Sequence, residues 1–121
     1  MKKITPIILL FAIIGTILLS SCEKLDVPSD TPLGIKNKIR AIKSEDVWNP
    51  PATIWQYEYN GETVYYIPAR CCDFYSELYD QHCNLICHPD GGMSGNGDGI
   101  CTDFFDTRTN EKLIWRDDRN D

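Results

Sequence analysis

Asn60-Gly61 separates two runs of β-branched and aromatic residues, Thr53 to Tyr59 and Glu62 to Ile67. That dipeptide supplies the two positive φ angles of a two-residue type I′ turn, so the runs are expected to fold back as an antiparallel hairpin. The turn also sets the register. Tyr59 faces Glu62, Tyr57 faces Val64 and Trp55 faces Tyr66 on one side, while Ile54 with Ile67, Gln56 with Tyr65 and Glu58 with Thr63 occupy the other. The first side is the more apolar, so it is expected to take the helix and the core. On that reading Trp55, Tyr57 and Tyr66 pack and do not stack on a ligand.

Upstream, Ile35, Ile39 and Ile42 recur at helical spacing with charges between them, and Asn49-Pro50-Pro51 forbids continuation. One amphipathic helix is therefore expected near residues 35–46. Downstream, Glu77-Leu78-Tyr79 and Leu85-Ile86-Cys87 predict a second hairpin around residues 80–84, and Lys112 to Trp115 a last strand that returns to the sheet. The expected fold class is α+β: one N-terminal helix packed on a small antiparallel sheet of hairpins, disulfide-stapled, with a Gly-rich loop over residues 89–103.

The first 22 residues carry an address. Met1-Lys2-Lys3 is basic, Ile7 to Leu19 is an apolar run of signal-peptide length, and Leu19-Ser20-Ser21-Cys22 resembles the lipobox of bacterial lipoproteins. Even Ile4 to Leu19 is shorter than the roughly 18–20 apolar residues of a membrane span. Residues 1–21 are thus expected to be a signal peptide, and Cys22 the lipid-attachment site. At about 0.8 kcal/mol per buried methylene, two or more acyl chains such as palmitate would hold the protein on a membrane without crossing it. Residue 23 is Glu, whereas Asp at that position is the usual inner-membrane retention mark, so outer-membrane delivery is expected, facing the periplasm or the surface. Residues 22–34, with two prolines and little apolar content, read as a lipidated tether able to lift the domain by roughly 40 Å. Within it Glu23, Asp26 and Asp30 would suit a surface-export tag or a solvated linker. Residues 35–116 form the expected globular cysteine-rich domain, and residues 117–121 a polar tail.

Cleavage removes Lys2 and Lys3 and leaves ten basic against eighteen acidic residues, a formal charge of −8. Such a balance opposes binding to nucleic acid or to anionic lipid. Lys36, Lys38, Arg40 and Lys43 form the one basic cluster, expected to be a solvated helix face.

Beyond Cys22 the chain holds Cys71, Cys72, Cys83, Cys87 and Cys101, an odd number, so at least one is left unpaired. Adjacent cysteines rarely bond to each other, which favours Cys71 and Cys72 tied separately to two of Cys83, Cys87 and Cys101. His82-Cys83 and Cys87-His88 lack the two-residue gaps of structural zinc sites, and Cys83 to Cys87 lacks the Cys-x-x-Cys spacing of thiol oxidoreductases. Ser94-Gly95-Asn96-Gly97-Asp98-Gly99 resembles the first half of an EF-hand calcium loop, with Asp90, Asn96, Asp98 and Asp103 as calcium candidates. The twelfth position is Phe105, which supplies no carboxylate, and Gly with Asp is also what tight turns use.

Trp55 to Gly61 with Val64 to Ile67, then Cys71-Cys72-Asp73, Leu78-Tyr79-Asp80, Ile86-Cys87 with Pro89-Asp90-Gly91-Gly92, and Gly97-Asp98-Gly99 with Cys101 together resemble a family of small uncharacterised bacterial lipoproteins. The resemblance spans residues 35–116 and implies no chemistry, the family being a domain of unknown function. It implies a further cysteine at the helix start in relatives, where Gly34-Ile35 stands here, so that one of the five cysteines has lost its partner. Relatives also tend to have Pro where this chain has Thr102. The expected function is a lipid-anchored envelope lipoprotein without catalysis, a binding or structural module for an unidentified envelope protein or ligand. A calcium-stabilised adhesion module and a Cys/His-based envelope enzyme using His82 or His88 are the alternatives.

Overall fold

Asn60 and Gly61 both adopt positive φ, 51° and 77°, and the hairpin forms as that turn dictates. This is seen in a computed structural model that describes residues 24–120. The expected leader and Cys22 lie outside the described residues. Strands β1 (Thr53–Tyr59) and β2 (Glu62–Ile67) pair with Trp55 opposite Tyr66, Tyr57 opposite Val64 and Tyr59 opposite Glu62. The second hairpin also forms, from β3 (Glu77–Asp80) and β4 (Leu85–Cys87). The last strand, β5 (Thr109–Arg116), is longer than its apolar core and lies beside β1. All pairings are antiparallel, in the order β4-β3-β2-β1-β5. The expected single main helix and antiparallel sheet are present, but five strands make the fold sheet-dominated where the α+β class was expected.

Helix α1 (Leu33–Lys43) buries Ile35, Ile39 and Ile42, the three residues that predict it. Each contributes on the order of 2 kcal/mol by burial. It begins at Leu33 on Pro32, and it stops at Ser44, whose hydroxyl donates to the Ala41 carbonyl 2.6 Å away.

The helix takes the opposite side of the hairpin from the one expected. Ile35 and Ile39 pack with Ile54, Tyr65, Ile67, Tyr79 and Ile114. The Tyr57, Tyr59, Val64 and Tyr66 side is buried as well, but under Leu78, Cys87, Cys101 and Phe104. Phe104 opens a short helix, α2 (Phe104–Thr107), absent from the sequence reading. Tyrosines are buried on both faces, and buried hydroxyls need partners. On the helix side the Tyr79 hydroxyl donates to Glu77 of its own strand. On the other side β5 and two loops supply the acceptors: Tyr57 donates to Glu111 Oε1 at 2.7 Å, Tyr59 to Asp103 Oδ1 at 2.6 Å and Tyr66 to Asp90 Oδ1 at 2.7 Å. Phe104 plugs the centre of the three rings, with centroids 5.4–5.6 Å from each.

Both ends of the domain are more ordered than a tether and a tail. Leu25 and Val27 pack against the helix-side core, Thr31 is buried, and its N–H donates to the Pro28 carbonyl at 3.1 Å. Asp117 is 4% exposed and its N–H donates to the Ala52 carbonyl at 2.8 Å. Two apolar side chains in the tether were enough to dock it, and one carboxylate with a cationic partner was enough to dock the tail. No helix among the described residues is long and apolar enough to cross a membrane.

Candidate functional site

The cysteines pair differently from expectation. Cys87 on β4 bonds Cys101, S–S 2.08 Å and Cα–Cα 6.1 Å, and so straps the glycine loop and α2 to the tyrosine side of the sheet. A loop of this length contributes roughly 3 kcal/mol by the chain-entropy model. Cys71 and Cys72 bond to each other, across a cis peptide that brings their Cα atoms to 3.0 Å. The expected separate bridges from Cys71 and Cys72 are not formed: Cys87 and Cys101 bond each other, and Cys83 is left free.

Cys83 is the free thiol, half-buried. It lies against Gly34: a Cβ on residue 34 would overlap the Cys83 Cβ and stand 3.1 Å from its Sγ. The helix-start position that the resemblance associates with a further cysteine is thus the one facing the unpaired thiol. Burial pushes the Cys83 thiol pKa up, Lys38 opposes this, and Asp80 and Glu77 raise it further. A nucleophilic cysteine needs the reverse. His88 Nδ1 lies 2.7 Å from the Ser76 carbonyl, and its ring packs 5.0 Å from that of Tyr75. His82 is exposed.

The calcium candidates do not gather. Asp90 and Asp103 accept from the tyrosines named above. Asp98 accepts the His88 N–H at 2.9 Å and the Ile100 N–H at 3.0 Å, and these bonds hold its carboxyl below the usual carboxylate range. Asn96 is exposed. Gly97 is required where it is: a Cβ there would run into the His88 carbonyl oxygen and the Pro89 backbone. Among the described residues no group of three or more His, Cys, Asp or Glu side chains is placed to hold a metal ion. The loop's glycines and aspartates serve a tight turn that presses on the sheet.

A cleft that no motif announces lies between the end of α1 and the segment joining β2 to β3. It encloses about 240 Å³, with Ile42 and Ile67 at its base and Trp48, Arg70, Phe74 and Tyr75 around it. Arg70 is sandwiched, its guanidinium carbon 4.6 Å from the Trp48 ring centroid and 4.3 Å from that of Phe74. Glu45 fixes both partners, accepting from Arg70 at 3.2 Å and from Trp48 Nε1 at 2.8 Å. Phe74 and Tyr75 are each 49% exposed. These residues come from two turns without periodicity. Their one sequence signal is aromatic side chains in segments that Pro and Cys keep from being helix or strand.

Fold and surface together define a small disulfide-bonded sheet domain with one aromatic cleft beside a cystine of adjacent residues. Over residues 40–117, more than half of the chain, it matches the family described as Domain of unknown function (DUF6970), and the chain belongs to that family. No curated protein and no solved structure matches it.

Proposed function

We propose that this chain is a lipid-anchored protein of the bacterial cell envelope, delivered to the outer membrane, whose domain is a non-catalytic binding module. The lipobox ending at Cys22 supports the anchor. The observation that carries the binding reading is the Arg70 stack. Trp, Tyr and Arg are enriched among the side chains that carry most of the binding energy of protein interfaces, and an arginine held in place beforehand has less freedom to lose on binding. Here an arginine is already held between Trp48 and Phe74, and Phe74 and the neighbouring Tyr75 stand half-exposed. The partner is an envelope protein or a ligand with a flat apolar face and an acidic group for Arg70.

A photo-crosslinking residue placed at Tyr75 in living cells tests the module. One discrete envelope adduct, lost on Phe74→Ala, supports it, while the same adducts from a probe at Asn60 on the distant hairpin turn would sink it. Mass spectrometry of the natural protein tests the anchor, and a retained leader or an unmodified Cys22 removes it.

A further inference from the structure

We propose that Lys24, Lys36 and Arg40 form a docking face for acidic phospholipid headgroups, so that the domain lies against its membrane and does not hang from it. The inference rests on the anchored reading above.

Leu25 and Val27 are packed into the domain, so no tether separates the fold from the acylated end. Cys22 precedes Lys24 by two residues, a reach of at most about 7 Å. Whatever surface surrounds Lys24 therefore meets the bilayer first. On one side that surface is a pocket of about 400 Å³ lined by Lys24, Lys36 and Arg40 together with Leu25, Val27 and Ser29, with no carboxylate in its lining. Lys36 and Arg40 are one helical turn apart and share a face of α1. Lys38 leaves that face, reaching 3.6 Å from Glu77 over the Tyr79 ring.

Neither Lys24 nor Lys36 is in an ion pair among the described residues, and Arg40 donates to Asn37 at 2.9 Å. Lys24 also lines the adjoining cleft, where Asp26, Asp117 and Asp118 stand among Lys43, Arg116 and Arg119. The overall negative charge does not cancel this patch, because exposed charges beyond about 8 Å are screened at physiological salt. Basic groups beside an acidic leaflet are attracted to it, and apolar side chains between them suit the headgroup boundary.

The test uses the protein purified from its own membranes and reconstituted in vesicles of phosphatidylcholine alone or mixed with phosphatidylglycerol. Lysines are labelled with a water-soluble amine reagent and mapped by peptide mass. Labelling of Lys24 and Lys36 should fall about threefold or more on the acidic vesicles relative to Lys38, and recover in high salt. In the Lys36→Glu/Arg40→Glu variant the protection of Lys24 should disappear. Equal labelling on both vesicles overturns the proposal, as does equal protection by inorganic phosphate in detergent, which would mean a pocket for soluble anions. The intact mass of the same sample reports the acyl group at Cys22, so a failed anchor and a failed docking face are read separately.

Discussion

Asp117 holds Arg119 beneath the C-terminal end of helix α1. The carboxylate accepts from Arg119 Nε at 2.9 Å and from Nη2 at 2.8 Å, and Nη1 is left to donate to the Lys43 and Glu45 carbonyls at 3.0 Å each. Orphan carbonyls at a helix end are thereby satisfied by a cation, which the helix dipole also favours there.

Asp117→Ala should cost about 1–3 kcal/mol, read as a lowered denaturant midpoint. The pH sign follows from the Asp117 carboxyl, held below its ordinary value first by its hydrogen bond to Arg119. Its contribution is present above the unfolded pKa of about 3.9 and is lost as pH falls through the lower folded value. Asp117→Asn should flatten that acid limb, and an unchanged limb would refute the clamp.

Gly34→Ala should destabilise by about 1–3 kcal/mol, since its methyl group overlaps Cys83. Cys83 itself sits at φ 62°, a region glycine prefers. Cys83→Gly should therefore be close to neutral and should rescue Gly34→Ala, giving a coupling in a double-mutant cycle. Additive effects would mean the two residues do not meet. In the native chain alkylation of Cys83 should accelerate only at pH values above those of an ordinary cysteine.

Phe104→Ala should cost about 3–5 kcal/mol, because its ring fills the space between Tyr57, Tyr59 and Tyr66. The Cys87→Ser/Cys101→Ser double variant should cost about 2–4 kcal/mol relative to the native protein. Tyrosine fluorescence and denaturant titration check both, and a loss under 1 kcal/mol from either would show the strap to be dispensable.

Burial, the hydrogen bond to Glu111 and that carboxylate's charge push the Tyr57 phenol up to about 12, against the pull of Arg108. Tyr66 is raised further by burial and by Asp90. The folded state thus prefers protonated phenols. Stability from them is complete below the unfolded pKa of about 10 and is lost as pH rises toward the folded values. Ultraviolet titration should show ionisation of these tyrosines coinciding with unfolding, and Tyr66→Phe should weaken the coupling.

Calcium or EDTA should leave the melting temperature unchanged, since the candidate carboxylates are engaged with tyrosines and backbone. A melting temperature that rises with calcium and falls with EDTA would overturn this expectation.

What the residues determined by themselves was local: the turn at Asn60-Gly61 and its register, the stripe Ile35, Ile39 and Ile42, the hairpin ending at Cys87, and an unpaired thiol from an odd count. Each follows from contacts within one segment or from arithmetic, so no distant part of the chain was needed. The faces, the bridges and the cleft were decided only in three dimensions. Apolar count favoured Tyr57 and Tyr66 for the helix, yet hydroxyls need acceptors, and those acceptors, Asp90, Asp103 and Glu111, lie 24 to 54 residues away. Likewise, which cysteine stays free depends on which sulfurs meet, Cys87 with Cys101 and Cys71 with Cys72, and the Arg70 stack exists only because two turns meet. A sequence records which groups demand partners, and packing alone decides who supplies them.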